Sequence, residues 1–292
     1  MNIEIDPGAG PCFGVDRAIK IAENTLRLSH QLFCIGDLIH NEQEIKRLEK
    51  EGMKIIQLQE ATEQHISTVL FRAHGETPKS FHIAKENNIR VIDATCPIVV
   101  KLQNQIKETY QQIRKNEGQI SIFGKKNHPE IISLLGFCEG NAIIIEQIED
   151  LELINFLKPI YLFSQTTKYQ SDYFLIREEI ENRIRLLNKP SSYLHFHDSS
   201  CKIVAKRDKQ LQEFIEDKDL IIFVSGKKSS NGRQLFQICQ QSRITSYFIS
   251  KPEELNSNWL DGKKNIGISG ATSSPNWLLE KVKKKIEISL LK

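Results

Sequence analysis

The feature that most constrains this chain is an internal repeat: one succession of cysteine, helix, strand and glycine occurs three times in 292 residues. A short strand-like run precedes each of three cysteines. Asn2 to Asp6 (NIEID) leads to Cys12, Arg90 to Asp93 (RVID) to Cys96, and Tyr193 to His197 (YLHFH) to Cys201. After each cysteine, apolar residues recur at helical spacing with charges on the opposite face, which predicts helices over Val15 to Leu28, Ile98 to Lys115 and Ile203 to Glu216. A second strand then ends at a glycine: QLFCIG at Gly36, ISIFG at Gly124 and LIIFVSG at Gly226. The separations from cysteine to glycine are 24, 28 and 25 residues, and four residues beyond each glycine stands His40, His128 or Ser230.

Each unit continues with a further strand (KIIQL, AIIIE, SYFIS), then an acidic stretch expected to be helical, then a last apolar strand that ends in polar groups. Those last strands are VLFRAHG with His74, IYLFSQTT with Thr166 and IGISGATSSP with Ser273. The final helix, Pro275 to about Ile288, has no strand after it, and the amino-terminal NIEID supplies the missing one if the chain ends meet. The reading is an α/β protein of three pseudo-equivalent lobes with mainly parallel sheets around a central site. The lobes are residues 13–96, 97–197, and 198–292 with 1–12. Right-handed crossovers place a lobe's strand ends on one edge. Ligands gather beyond carboxyl ends of strands in such sheets, so the three cysteines and the polar groups are expected to converge. Loose repetition, common to any β/α alternation, is the competing explanation.

Charge narrows the function classes. Lys plus Arg total 40 against 37 Asp plus Glu, a net charge of +3 with both signs scattered, which is not the footprint of an electrostatic nucleic-acid binder. No apolar run is long enough for a membrane span, and MNIEIDPGAG lacks the basic start and apolar core of a signal peptide. A cytoplasmic protein with no nucleic-acid or membrane partner is expected. The six cysteines form no C-x-x-C pair, and in a reducing compartment no disulfide framework is expected.

Three cysteines from three separate units make a poor structural zinc site, which takes four ligands. They suit an iron-sulfur cluster with one iron left open to a substrate oxygen, although a cysteine is often only a small buried apolar residue. That second reading is kept for Cys34, Cys138 and Cys239. Ser229, Ser230 and Asn231 precede a helix expected over Arg233 to Gln241, where hydroxyls and backbone N–H groups would cradle an anion or simply cap the helix. Ser273 and Ser274 stand in the same topological place before Pro275. His40, His74 and His128 are candidate donors to phosphate oxygens. Glu130, just after Pro129, is either a general acid or a first-turn carboxylate favoured by the helix dipole, and the Thr166 hydroxyl is a candidate relay.

At these residues the chain resembles the 4-hydroxy-3-methylbut-2-enyl diphosphate reductase (LytB/IspH) family, over nearly its whole length. The resemblance is carried by GPCFGVDRAI around Cys12, LIHN with His40, RAHG with His74, DATCP with Cys96, HPE from His128, SQTT with Thr166, Cys201, SSN from Ser229 and SSP with Ser273. It implies that the three lobes form a trefoil around one 4Fe-4S cluster held by Cys12, Cys96 and Cys201. It implies an allylic diphosphate substrate held by His40, His74, His128, Ser229, Ser230, Asn231 and Ser273, with Glu130 and Thr166 delivering a proton. Ferredoxin or flavodoxin is the implied electron donor. Pro11, Phe13, Lys202, Val204 and Asp208 depart from the residues common at their places in the family. A non-redox diphosphate- or nucleotide-binding module and an inactive family member are the alternatives at this point.

Overall fold

A computed structural model of the protein describes residues 1–116 and 118–291; position 292, the end of the third expected lobe, lies outside the described residues. The chain opens with β1 (Asn2–Ile5), α1 (Phe13–Ser29), β2 (Leu32–Ile35), α2 (Glu42–Lys50), β3 (Met53–Ile56), α3 (Leu58–Glu63), β4 (Thr68–Phe71), α4 (Pro78–Glu86) and β5 (Arg90–Asp93). Next come α5 (Pro97–Asn116), β6 (Gln119–Phe123), α6 (Pro129–Gly136), β7 (Ala142–Ile145), β8 (Ile160–Ser164), α7 (Gln170–Leu186) and β9 (Leu194–Phe196). The last elements are α8 (Lys202–Ile215), β10 (Leu220–Val224), α9 (Ser230–Gln241), β11 (Thr245–Ile249), β12 (Asn265–Gly270) and α10 (Asn276–Leu290).

The strands form three four-stranded sheets ordered β3-β2-β4-β5, β7-β6-β8-β9 and β11-β10-β12-β1. In every sheet the first two strands are adjacent, the third lies on the other side of the first, and the fourth closes the edge. The fold is therefore α/β with three parallel-sheet lobes, as the repeat predicts. The expected closure by the chain's start is also present: β1 pairs in parallel with β12, Asn2 opposite Asn265 through Ile5 opposite Ile268.

Contacts divide the chain into two compact units, residues 1–55 with 202–292, and residues 56–201. In the first unit, β10 (LIIFV) is buried on both faces, as a central parallel strand flanked by helices must be. Leu220, Ile222 and Val224 pack with Leu278, Val282 and Ile286 of α10, while Ile221 and Phe223 pack with Leu211 of α8 and Leu235 of α9. β1, an edge strand, alternates in exposure instead. Its end is anchored by Asp6, which pairs with Arg207 of α8, both 2% exposed. Ser269 of β12 donates to the same carboxylate at 2.8 Å and accepts from Arg207 at 2.7 Å. In the second unit, β6 and β8 are likewise sandwiched, with α5 and α6 against one face and α7 against the other.

Two expectations are corrected and one is refined. α9 starts at Ser230 and not Arg233, because the Ser229 side chain caps it by accepting from the Gly232 amide at 3.0 Å. The acidic stretches after β7 and β11, expected to be helical, take the tighter 3-10 form over Ile148–Leu153, Pro252–Glu254 and Ser257–Leu260. The three residues four beyond each glycine are not equivalent: His128 is a helix N-cap, Ser230 is the first helical residue, and His40 precedes the cap Asn41. Cys34, Cys138 and Cys239 are wholly buried, and burial pushes the Cys138 thiol up to about 11 and that of Cys239 up to about 12. Among the described residues no helix is long and apolar enough to cross a membrane.

Candidate active site

Each of the three cysteines stands immediately before a helix: Cys12 before Phe13 of α1, Cys96 before Pro97 of α5, Cys201 before Lys202 of α8. Each is tied to the loop after its sheet's third strand. The Cys12 amide donates to the Thr272 carbonyl at 3.0 Å, Cys96 to Ala73 at 2.9 Å and Cys201 to Thr166 at 2.9 Å. The repeat read in the sequence is therefore kept to the level of single backbone bonds. A thiol at a helix N-terminus faces unsatisfied N–H groups and the positive end of the dipole, which favour the thiolate a metal needs.

Within the second unit, burial pushes the Cys96 thiol up, opposed by the amides of Ile98 and Val99 and reinforced by the charges of Cys201 and Glu130. Cys96, Cys201 and Glu130 thus share one electrostatic environment. Glu130 is 1% exposed, and burial holds its carboxyl up at about 7, against bonds from Thr166 that pull it down. Those bonds are the Thr166 amide to Oε1 at 2.7 Å and the Thr166 hydroxyl to Oε2 at 2.8 Å. A carboxyl group that releases its proton near neutrality is fitted to general acid chemistry.

His128 caps α6: its Nδ1 accepts from the Glu130 amide at 3.1 Å, so the neutral ring carries its proton on Nε2. The His74 ring meets it edge-on, the centroids 5.6 Å apart. The loop bearing His74 is fixed from below, since Ser133 of α6 donates to the Glu76 carbonyl at 3.2 Å and accepts from Gln103 at 2.7 Å. Gly75 sits there at φ +82°, and a Cβ would lie 2.4 Å from the Gln103 amide nitrogen. The loop before Cys201 is fixed by Ser199, which donates to the Ser164 carbonyl at 2.9 Å and accepts from the Ser164 amide at 2.6 Å.

In the first unit, Ser273 donates to the His40 carbonyl at 3.3 Å and shares a hydroxyl contact with Ser229, also at 3.3 Å. Asn41 caps α2 by accepting from the Glu44 amide at 3.1 Å, which holds the segment that carries His40. Gly226 lets that segment approach, for a Cβ there would be 2.3 Å from the His40 carbonyl oxygen. The Asn231 carbonyl oxygen accepts from the Thr272 amide at 3.1 Å and its hydroxyl at 2.9 Å. His40, Ser229, Ser230, Asn231, Ser273 and Cys12 therefore belong to one unit, while His74, Cys96, His128, Glu130, Thr166 and Cys201 belong to the other.

Sequence reasoning missed Asn41 and Thr272. Asn41 had a local signal, an Asn three residues before Glu44 at the head of an amphipathic run. Thr272 is visible only when the strand ends are superposed, two residues past β12 as Thr166 is past β8. Of the departures, Phe13 is 61% exposed and Val204 is 7% exposed within α8, and nothing in the structure explains either.

The family model described as LytB protein matches residues 3–287. A protein of Phocaeicola vulgatus is 44% identical over 287 residues, 98% of each chain, and one of Bacteroides fragilis is 42% identical over 290 residues, 99% of each. Both are named 4-hydroxy-3-methylbut-2-enyl diphosphate reductase. Among solved structures, the Plasmodium falciparum E-1-hydroxy-2-methyl-but-2-enyl-4-diphosphate reductase has a TM-score of 0.83 at 26% identity, covering 96% of this chain and 86% of that one. A second, a reductase described as the terminal enzyme of the non-mevalonate pathway, has a TM-score of 0.70 at 31% identity, covering 98% and 99%.

Proposed function

The chain belongs to the LytB protein family, and from that premise we propose that it reduces 4-hydroxy-3-methylbut-2-enyl diphosphate to isopentenyl and dimethylallyl diphosphates, the last step of the methylerythritol phosphate (non-mevalonate) isoprenoid route. The reaction takes up two electrons and two protons, breaks a C–O bond and releases water. The observation that carries this reading is Glu130, a wholly buried acid held at about 7 and clamped by Thr166, in one electrostatic environment with Cys96 and Cys201.

Cys12, Cys96 and Cys201 would hold a 4Fe-4S cluster. Their fit rests on their equivalent places at helix starts and on the matching backbone bonds that tie each to the loop after its sheet's third strand. Once bound, such a cluster supplies single electrons and a Lewis-acidic iron for the substrate's oxygen.

The remaining work falls to the chain's own side chains. Glu130 gives its proton to the departing oxygen, and Thr166 holds the carboxyl in place through both its amide and its hydroxyl. His128, with its proton on Nε2, offers a donor, and with His40, His74, Ser229, Ser230, Asn231 and Ser273 it would bind the diphosphate. Binding energy from the diphosphate, remote from the reacting carbon, is then spent on orienting the hydroxyl. A ferredoxin or flavodoxin would deliver the electrons in the cytoplasm.

Purified without oxygen, the protein should carry about four irons and absorb broadly near about 400 nm, as thiolate-ligated iron-sulfur centres do. Cys96→Ser should lose most of that iron and colour. Colourless, iron-free protein after anaerobic reconstitution would overturn the assignment.

A further inference from the structure

The third lobe carries a second copy of the Glu130–Thr166 arrangement, with the acid replaced by an amide. Thr166 lies two residues beyond β8 and Thr272 two residues beyond β12, while Glu130 and Asn231 are each the second residue of the helix opposite, α6 and α9. The bonds correspond one for one. Thr166 sends its amide and hydroxyl to the Glu130 carboxyl at 2.7 and 2.8 Å, and Thr272 sends its amide and hydroxyl to the Asn231 carbonyl oxygen at 3.1 and 2.9 Å. The carbonyl of each threonine accepts from a cysteine amide, Cys201 at 2.9 Å and Cys12 at 3.0 Å. In the remaining lobe Ala73 holds this place and still accepts from Cys96, but it has no hydroxyl to offer.

The chemistry of the two copies differs in one respect. A backbone N–H only donates, so it fixes which end of the Asn231 amide faces Thr272. With the carbonyl oxygen engaged twice, what Asn231 has left is an NH2 group, two donors with no proton to lose near neutral pH. Asn231 is 5% exposed and Thr272 8%, so little water competes for either. One scaffold thus holds a titrating acid in the second lobe and a permanent donor in the third.

We propose that Thr272 is a positioning residue, which locks Asn231 so that only its N–H donors are available to the anionic end of the substrate. The proposal rests on the reading of this site as one that takes an allylic diphosphate. It restricts the role of Thr272 to binding: without its hydroxyl the Asn231 carbonyl oxygen is held by the Thr272 amide alone, and the N–H donors are held less firmly toward phosphate oxygens.

The test compares Thr272→Val, which removes the hydroxyl at nearly constant volume, with Thr272→Ser, which restores it. In the anaerobic reductase assay Thr272→Val should raise KM about fivefold, equivalent to about 1 kcal/mol at 1.4 kcal/mol per tenfold, and leave kcat within about twofold. Thr272→Ser should stay within about twofold of the parent in both, by the same conversion. Calorimetric titration with inorganic pyrophosphate should show the same ordering of affinities. An unchanged KM in Thr272→Val, an equal loss in Thr272→Ser, or a fall in kcat alone would overturn the proposal. The two readings fail separately. A parent that binds pyrophosphate more tightly than Thr272→Val without turning substrate over refutes the reductase and keeps Thr272, whereas an active parent matched by Thr272→Val refutes only the role of Thr272.

Discussion

Glu130→Gln should make the protein more stable at pH 8 and close to inactive. The folded chain holds the Glu130 proton up to about pH 7, while an unfolded chain releases it near the ordinary 4.5. Because the folded value is the higher one, the contribution of neutral Glu130 is complete below about pH 4.5 and is lost as the pH rises to about 7. At about 1.4 kcal/mol per pH unit, the loss comes to about 3 kcal/mol. Glutamine does not ionise and keeps the geometry: the Thr166 amide still donates to Oε1, and the Thr166 hydroxyl turns to accept from Nε2. Urea unfolding of both proteins under nitrogen should therefore give equal stabilities near pH 4.5 and a variant stronger by about 3 kcal/mol at pH 8. Turnover should fall by about 10²- to 10⁴-fold, the worth of a positioned general acid. In the parent the rate should decline as pH rises through about 7, since the protonated acid is then depleted. Identical pH dependence of stability in the two proteins, or full activity in the variant, would refute the assignment of Glu130 as a buried acid poised near neutrality.

Gly226→Ala should raise KM and lower stability together, because its Cβ would lie 2.3 Å from the His40 carbonyl oxygen and 2.9 Å from the Asn41 Cα, backbone atoms that cannot swing aside. Overpacking of this kind costs about 1–3 kcal/mol, readable as a lower urea midpoint. Asp6→Ala should cost about 3–5 kcal/mol, since it strands the buried Arg207 guanidinium without its carboxylate, and hydrogen exchange at Ile3 to Ile5 should quicken as β1 loosens from β12.

Much of the fold was legible because its signals are local. Apolar runs such as LIIFV and the cysteine-to-glycine spacing repeat in each lobe, and the missing strand of the last lobe points to NIEID, which pairs with β12 as β1. The start of α9 was not legible, since Ser230, Asn231 and Gly232 are weak helix formers and the helix there depends on the Ser229 cap. The Asp6–Arg207 pair joins residues 201 positions apart, and neither side chain announces it in sequence. At the candidate site the residue types were legible and their protonation was not. That Glu130 is an acid near neutrality follows from its burial, and that Asn231 is a fixed donor from what Thr272 donates, both of which only the folded chain specifies.

The proposed function needs three helix-start cysteines and a buried acid in one chain to cleave a C–O bond reductively. Its most direct test is an anaerobic assay of the iron-loaded protein with 4-hydroxy-3-methylbut-2-enyl diphosphate and a chemical one-electron reductant, the products separated by chromatography. Isopentenyl and dimethylallyl diphosphates should form, and only when protein, iron and reductant are all present. Unconsumed substrate with fully iron-loaded protein would contradict the proposed function.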